Sequence, residues 1–194
     1  MSLRIVGGKF KGRILKTPKT NSTRPTTSML REALFNICAP MVDGARFLDL
    51  FAGSGAMGLE AISRGATFAT FVEQSFKAVQ CIQENVHLLG IEPRVQLLRA
   101  NVLEVLPKLL SPYDIIYIDP PYELEAKGVL QKIFDQKLLA PEGTLFLEQR
   151  YDPKADFSRT PFQLVESRRY GIAHLHQFIS ECKFVQNQSI KKNF

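Results

Sequence analysis

From Arg46 onward, short apolar runs alternate with amphipathic segments along the chain. The apolar runs predict five strands, at Phe47–Phe51, Phe68–Val72, Val95–Leu98, Ile115–Ile118 and Thr144–Leu147. The segments between them predict four helices, near Met57–Arg64, Ser75–Leu89, Leu103–Leu110 and Lys127–Gln136. Strands that alternate with helices form a mostly parallel sheet with helices on both faces, so the pattern predicts an α/β fold.

The two ends of the chain depart from this alternation. After Pro153, the segments Gln163–Tyr170 and Ile172–Ile179 flank Gly171 and predict a C-terminal antiparallel hairpin. Near the start, Gly7, Gly8 and Gly12 lie between alternating apolar residues and predict a short hairpin or extended arm. A helix capped by Thr27 or Ser28 should follow and end near Cys38. We therefore expect an N-terminal extension over residues 1–40, a main domain over 41–182 and a flexible tail over 183–194.

Composition narrows the class of protein. With 194 residues and 45% hydrophobic residues, the chain can bury one sizeable core. It has no apolar stretch long enough to span a membrane, so we expect a cytoplasmic protein that contacts no membrane. The three cysteines are far apart and the three histidines lack partner ligands at suitable spacing, so we expect no disulfide and no metal site. A monomer is expected.

Positive charge is concentrated at the N-terminus. Residues 1–40 hold eight basic side chains and one acidic side chain, whereas residues 41–194 hold 17 basic and 18 acidic ones. A local excess of lysine and arginine is typical of a surface that neutralises nucleic-acid phosphates. A solvated basic tail with no partner is the alternative that charge alone leaves open.

A glycine-rich turn follows the first predicted strand. Gly53, Gly55 and Gly58 have the GxGxxG spacing that lets a backbone approach a nucleotide closely, and Glu73 ends the second strand, where it can accept hydrogen bonds from ribose hydroxyls. Both features suit a nicotinamide enzyme and an S-adenosylmethionine enzyme equally well.

Asp49 separates these two classes of cofactor. A pyrophosphate gains nothing from a carboxylate four residues before the glycine turn, whereas S-adenosylmethionine carries an ammonium and a sulfonium that a carboxylate suits. Asp49 could instead only cap the turn. The candidate cofactor-binding residues are Asp49, Phe51, Gly53, Ser54, Gly55, Gly58, Glu73 and Asn101. The last of these, Asn101, follows the third strand, where it could recognise the cofactor's adenine or only cap a helix.

The tetrad Asp119-Pro120-Pro121-Tyr122 directly follows the fourth predicted strand. Two prolines stop the strand and fix the backbone, so that the Asp119 side chain and the Pro120 carbonyl can point at one place. Two such acceptors can hold the N–H bonds of a base's exocyclic amine, and Asp119 can take the departing proton. Tyr122 offers a flat face on which an extruded base can stack, so Asp119, Pro120 and Tyr122 are the candidate catalytic residues.

Several segments resemble a known family, the bacterial RsmD-type methyltransferases that modify a guanine N2 in 16S ribosomal RNA. They are Arg4-Ile5-Val6-Gly7-Gly8 with Gly12-Arg13, Thr23-Arg24-Pro25-Thr26 with Arg31-Glu32-Ala33-Leu34-Phe35-Asn36, Asp49 through Gly55, Gly58-Leu59-Glu60-Ala61 with Ser63-Arg64-Gly65-Ala66, and the tetrad. The resemblance implies a class I, Rossmann-like methyltransferase fold and S-adenosylmethionine as methyl donor. It also implies 16S rRNA or a small-subunit particle as partner, contacted through Arg4, Lys9, Lys11, Arg13, Arg24, Thr26 and Arg31.

Other functions fit parts of the pattern. A DNA adenine or cytosine N-methyltransferase would use the same tetrad, but no segment is long enough for a large target-recognition insertion. A methyltransferase for a protein glutamine amide would not need the basic arm. A non-catalytic RNA-binding module would not need Asp119, and a nicotinamide oxidoreductase leaves the tetrad unexplained. His174 and His176 share one face of a strand, which favours a packing or RNA-contact role over catalysis.

Overall fold

A computed structural model describes residues 3–18, 28–121, 123–153 and 155–180, and its centre is a seven-stranded sheet with the order β3-β2-β1-β4-β5-β7-β6. The strands are β1 (Arg46–Leu50), β2 (Phe68–Glu73), β3 (Val95–Arg99), β4 (Tyr113–Ile118), β5 (Leu139–Arg150), β6 (Phe162–Tyr170) and β7 (Ala173–Ser180). The helices are α1 (Ser28–Cys38), α2 (Ala56–Ser63), α3 (Phe76–Leu89), α4 (Val102–Val105) and α5 (Ala126–Asp135).

Strands β1 to β5 are parallel, and the C-terminal hairpin of β6 and β7 adds antiparallel strands beside β5. The predicted α/β class and the predicted hairpin are both confirmed. Side chains from alternate strand positions form two cores, one on each face of the sheet. Helices α1, α2 and α3 cover the first core, and α4 and α5 cover the second.

Two predicted elements differ from those observed by more than two residues in length. Helix α4 gives way to a 3-10 turn at Leu106–Lys108, whereas the sequence pattern predicts a helix that reaches Leu110. Pro107 has no N–H with which to continue the α-helical hydrogen bonds, so the helix ends before it. Strand β5 is longer than the predicted Thr144–Leu147 at both ends, because Leu139 already pairs with Tyr113 of β4 and the last residues continue to pair with β7 after β4 has ended.

The N-terminal segment, residues 3–18, folds as an antiparallel arm. Arg4 and Ile14 form an isolated bridge, and the Leu15 N–H donates to the Leu3 carbonyl at 2.9 Å. Ile5 and Leu15 are buried in the first core, so the arm packs on the same face of the sheet as α1 and α2. Within the described ranges, no helix is long and apolar enough to cross a membrane.

Candidate active site

The carboxyl ends of β1 and β4 lie side by side, because these two neighbouring strands pair from Phe47↔Ile115 to Leu50↔Ile118. The glycine loop leaves β1 at this edge and the tetrad leaves β4 beside it, with the Asp119 N–H 3.4 Å from the Leu50 carbonyl oxygen. This is the topological switch point of the sheet, where ligands of open α/β folds bind. The structure therefore brings the predicted cofactor loop and the predicted catalytic Asp119 together.

The glycine loop has a strained backbone. Gly53 and Gly55 have φ of 54° and 75°, and Phe51, which is not a glycine, has φ of 62°. A bulky residue in this region costs on the order of 1–3 kcal/mol and is typically retained at functional sites. Glu73 holds the loop, because its carboxylate accepts hydrogen bonds from the Gly53 N–H at 2.9 Å and the Ser75 N–H at 2.7 Å. An ideal Cβ at Gly53 would meet open space.

Asp49 is buried at the end of β1, and its Oδ2 accepts a hydrogen bond from the Gly58 N–H at 2.9 Å. The carboxylate therefore secures the start of α2, as the loop-capping alternative predicts. The pKa of Asp49 is raised to about 8, chiefly by burial; the Gly58 hydrogen bond opposes this rise, and the nearby negative charge of Glu73 adds to it. A Cβ at Gly58 would lie 2.4 Å from the Phe71 ring, so this position requires glycine.

Asp119 lies in an acidic part of the site that the sequence does not reveal. The residue is partly exposed, yet burial raises the pKa of its carboxyl well above the usual range, as do the charges of Glu148 and then Asp49. Glu148 follows Leu147, the β5 partner of Ile118, and it accepts a hydrogen bond from the Tyr117 hydroxyl. A raised pKa makes Asp119 a better proton acceptor once it is ionised.

Asn101 begins helix α4. Its side-chain oxygen accepts a hydrogen bond from the Leu103 N–H at 2.9 Å, which is the geometry of an N-cap. Of the two roles that the sequence leaves open for Asn101, the structure shows the cap.

Glu60 fixes the N-terminal arm to helix α2, and sequence reasoning missed it. Its carboxylate is fully buried and accepts from the backbone N–H groups of Val6 at 2.8 Å and Gly7 at 2.7 Å. It also accepts from Arg64 Nε at 2.8 Å and lies 3.5 Å from Arg31 Nε. The sequence does contain a signal for this role, because Glu60 lies within an otherwise apolar helical segment. A carboxylate buried on such a helix almost always has a charged or hydrogen-bonding partner.

The glycines of the arm allow this close approach. An ideal Cβ at Gly8 would lie 1.9 Å from the Ser63 carbonyl oxygen, and one at Gly7 would lie 2.5 Å from the Arg64 guanidinium. Ser63 Oγ donates to the Gly7 carbonyl at 2.6 Å and accepts from the Phe10 N–H at 2.9 Å. The segments that carry the family resemblance, on the arm and on α2, are therefore the two sides of one contact.

The structure corrects the prediction for Arg31, which the sequence analysis assigns to RNA contact. Arg31 is 1% exposed, it pairs with Glu60, and it donates a hydrogen bond to the Arg4 carbonyl at 2.6 Å. A guanidinium enclosed in this way cannot reach a phosphate, because α1 packs it inward against the arm.

The other predicted RNA contacts fall into two groups. Arg4, Lys9, Lys11 and Arg13 are exposed on the arm, as a phosphate-binding surface requires. Arg24 and Thr26, together with the predicted catalytic Tyr122, lie outside the described residues and stay predictions. In the part of the chain that the structure describes, no group of three His, Cys, Asp or Glu side chains could hold a metal ion.

A seven-stranded sheet with a glycine loop on β1 and an acidic Pro-Pro turn on β4 defines the class I methyltransferase fold. Comparison with known proteins agrees with this assignment. The family described as "Conserved hypothetical protein 95" matches residues 3–179, and the chain belongs to this family, that of the RsmD-type methyltransferases.

The chain has close relatives among bacterial proteins. It is 37% identical over 176 residues to YlbH of Bacillus subtilis, covering 88% of this chain and 95% of the relative. It is 36% identical over 154 residues to the "Ribosomal RNA small subunit methyltransferase D" of Escherichia coli K12, covering 77% of this chain and 76% of the relative. The solved structure of yhhF from Escherichia coli has a TM-score of 0.84 and 31% identity, with 94% of this chain and 99% of that chain covered.

Proposed function

We propose that this protein transfers a methyl group from S-adenosylmethionine to the exocyclic N2 amine of a guanine in small-subunit, 16S-type ribosomal RNA, with the base flipped out of its stack. The reaction class follows from the methyltransferase family, and the choice of RNA follows from the name of the Escherichia coli relative. The choice of guanine N2 follows from the resemblance to the RsmD-type enzymes.

The observation that carries the proposal is the position of Asp119. It follows β4 beside the glycine loop of β1, and its pKa is raised by burial and then by the charges of two further carboxylates, Glu148 and Asp49. An acidic residue at an ordinary turn would be solvated and would have no such neighbours. A carboxylate with a raised pKa at a ligand-binding edge is typical of a catalytic proton acceptor.

In this reaction the chain has to position the amine and to accept one proton from it. The nitrogen of an exocyclic amine is a weak nucleophile because its lone pair is delocalised into the ring. Asp119 and the Pro120 carbonyl accept hydrogen bonds from its two N–H groups and hold the nitrogen in position for attack. As the nitrogen takes the methyl group, the bond from that methyl to the sulfonium sulfur would break and leave its electron pair on sulfur, and one proton would pass from the nitrogen to the Asp119 carboxylate. Tyr122 supplies the surface on which the flipped base stacks.

The residues of the glycine loop fit S-adenosylmethionine, which supplies a methyl group activated by its sulfonium. Gly53 leaves open space beside the loop, Glu73 already points its carboxylate at the loop, and Asp49 is a buried acid with the negative charge of Glu73 nearby. A cationic ligand would favour the ionised form of Asp49. Phe51, Ser54 and Gly55 would complete the site, and Asn101 would border it.

The charge of Asp49 makes a testable contribution to cofactor binding. Because its pKa is about 8 in the free protein, binding of a cation should release a proton, and affinity should rise as the pH rises toward 8. Asp49→Asn keeps an oxygen for the Gly58 N–H but removes the charge, so we expect about tenfold weaker binding with little pH dependence. Calorimetry in buffers of different ionisation enthalpy measures both the affinity and the number of protons released. An unchanged proton release in the variant would exclude Asp49 as its source.

The direct test of the function is transfer of labelled methyl from S-adenosylmethionine to small-subunit rRNA, both free and in particles from cells that lack this enzyme. Nucleoside analysis should find N2-methylguanosine and no other labelled nucleoside. Label in methyladenosine or methylcytidine would refute the guanine assignment. Absence of RNA labelling by protein that binds the cofactor would refute the RNA assignment.

A further inference from the structure

A row of aromatic and cationic side chains crosses the C-terminal hairpin, and the function proposed above does not use it. The Arg169 guanidinium lies over the Tyr151 ring at 4.6 Å from its centroid, and Tyr151 meets His174 edge-on at 4.6 Å. The row continues inward through His174 to His176 at 5.4 Å and from His176 to Phe157 at 4.6 Å.

The two ends of this row differ in exposure. His176 is 3% exposed, whereas Tyr151 is 41% exposed and Arg169 is also exposed. The outer end is also fixed in place, since the Tyr151 N–H donates to the Ile172 carbonyl at 2.8 Å and Arg169 Nε donates to the Gly171 carbonyl at 2.8 Å. A ring whose backbone and neighbours are fixed loses little conformational entropy when a ligand stacks on it.

The exposed end lies at the catalytic edge of the sheet. Ile118, the last residue of β4, pairs with Leu147, but β5 continues to Arg150, which pairs with Ala173. At about 3.3 Å per residue, the hairpin therefore projects on the order of 10 Å past the end of β4. Two strand spacings of about 4.8 Å separate β4 from β7, so His174 lies roughly 10 Å to the side of the Asp119 position.

The row lies on the opposite face of the sheet from the N-terminal arm. Phe157, which contacts His176, packs on the second core together with Leu124 from the turn after the tetrad. The arm packs on the first core through Ile5 and Leu15. A strand whose nucleotide enters between the glycine loop and the tetrad would therefore have the basic arm on one side and this row on the other.

We propose that Tyr151, Arg169 and His174 form a stacking surface for a base of the single-stranded RNA that flanks the target nucleotide. An aromatic ring paired with a guanidinium suits both parts of such a strand, since the ring stacks on a base and the cation is attracted to the backbone and to the base's π face. This inference rests on the RNA substrate of the proposed function.

A fluorescent reporter tests the surface directly, because the chain contains no tryptophan. Tyr151→Trp keeps a stacking ring and gives a single reporter. We expect its emission to be quenched when free small-subunit rRNA is added. Leu110→Trp is the matched control, since Leu110 is 95% exposed and precedes β4 at the opposite edge of the sheet. Equal quenching of both reporters, or of neither, would overturn the proposal.

Affinity measurements separate stacking from charge. Tyr151→Ala should weaken binding of free small-subunit rRNA about fivefold or more, while Tyr151→Phe should bind as the wild type does. Arg169→Gln should also weaken binding. Arg168→Gln removes the same charge one residue away, on the side chain that pairs with Glu166, and should have little effect.

The outcomes distinguish this surface from the proposed function. If the wild type binds and methylates rRNA and Tyr151→Ala does so equally well, the stacking surface is refuted and the function stands. If the wild type neither binds nor methylates rRNA, the proposed function fails first. An effect of Tyr151→Ala on assembled particles but not on free RNA would assign the surface to a ribosomal protein and refute stacking on RNA.

Discussion

The N-terminal arm packs on one face of the sheet, the ring row of the C-terminal hairpin lies on the other, and the two are held by different forces. The arm is fixed by a buried carboxylate, Glu60, which accepts hydrogen bonds from two backbone N–H groups and pairs with two arginines. The hairpin continues the main sheet, paired with β5 along its length, and its outer side chains are held by ring contacts.

The RNA contacts that we propose for the two regions differ in the same way. The arm presents lysines and arginines that attract phosphates wherever they lie, and a buried polar network and the apolar contacts of Ile5 and Leu15 hold it in position. The hairpin presents a ring on a rigid strand, which suits contact with one base. The arm should therefore contribute most of the salt-dependent affinity, and the hairpin should position the strand beside the site.

The largest effect is expected from breaking the anchor of the arm. Glu60→Gln removes the charge that compensates the buried Arg31, and losing one partner of a buried pair costs about 3–5 kcal/mol. We expect a fall of that order in the free energy of unfolding, measured by urea denaturation, together with weaker RNA binding.

Glu84→Gln is the matched control for Glu60. Glu84 pairs with Lys16 of the same arm, but the two side chains are 54% and 60% exposed. Exposed pairs contribute about 0–1 kcal/mol, so this variant should be near wild type. Equal destabilisation by the two substitutions would contradict the view that Glu60 holds the arm.

An intermediate effect is expected from removing the charge of the arm. Replacing Lys9, Lys11 and Arg13 together by Gln should reduce the slope of log affinity against log salt by about 2–3, with about 10- to 100-fold weaker rRNA binding near 0.15 M salt. The same neutralisation of Lys108, Lys132 and Lys137 controls for net charge. Tyr151→Ala should leave the slope unchanged. A reduced slope in the control triple would instead indicate a non-specific effect of net charge.

The smallest effect at neutral pH is expected from His176, the buried member of the ring row. Burial, and then the charge of His174, lowers the pKa of His176 to about 4 from 6.5. Above pH 6.5 the His176 imidazole is neutral in both the folded and the unfolded protein, so it contributes nothing to the pH dependence of the free energy of unfolding there. Between pH 6.5 and 4 only the unfolded state takes up the proton, so stability falls, by up to about 3 kcal/mol.

His176→Phe should remove this loss while changing stability little at pH 7. Urea denaturation at pH 7 and pH 4.5 measures the difference. His87→Gln serves as the control, since His87 is 88% exposed and its replacement should leave the acid sensitivity as it is. A variant of His176 that is as acid-sensitive as the wild type would refute the assignment of the proton to this residue.

The sequence predicts the fold well, and it predicts that the glycine loop and the tetrad leave neighbouring strands, because these signals are local. Strand periodicity, the glycine spacing and the tetrad each lie within a dozen residues of chain. The role of Arg31 was predicted wrongly because its charge is visible in the sequence, but its partner Glu60 lies 29 residues away on another helix. The sequence places His174 and His176 on one face of a strand, but it does not reveal their neighbours Tyr151 and Arg169, which come from separate segments that only strand pairing brings together.

The central claim is that Asp119 accepts a hydrogen bond and then a proton from the exocyclic amine of an RNA base. It is tested most directly by Asp119→Ala under single-turnover conditions with bound S-adenosylmethionine and small-subunit rRNA. Removing a carboxyl group that is disfavoured in its charged form, by burial and then by the charges of Glu148 and Asp49, should not destabilise the fold. We predict unchanged affinity for cofactor and RNA and a methyl-transfer rate lower by about 10²–10⁴-fold. A variant that binds both and methylates rRNA at the wild-type rate would contradict the account.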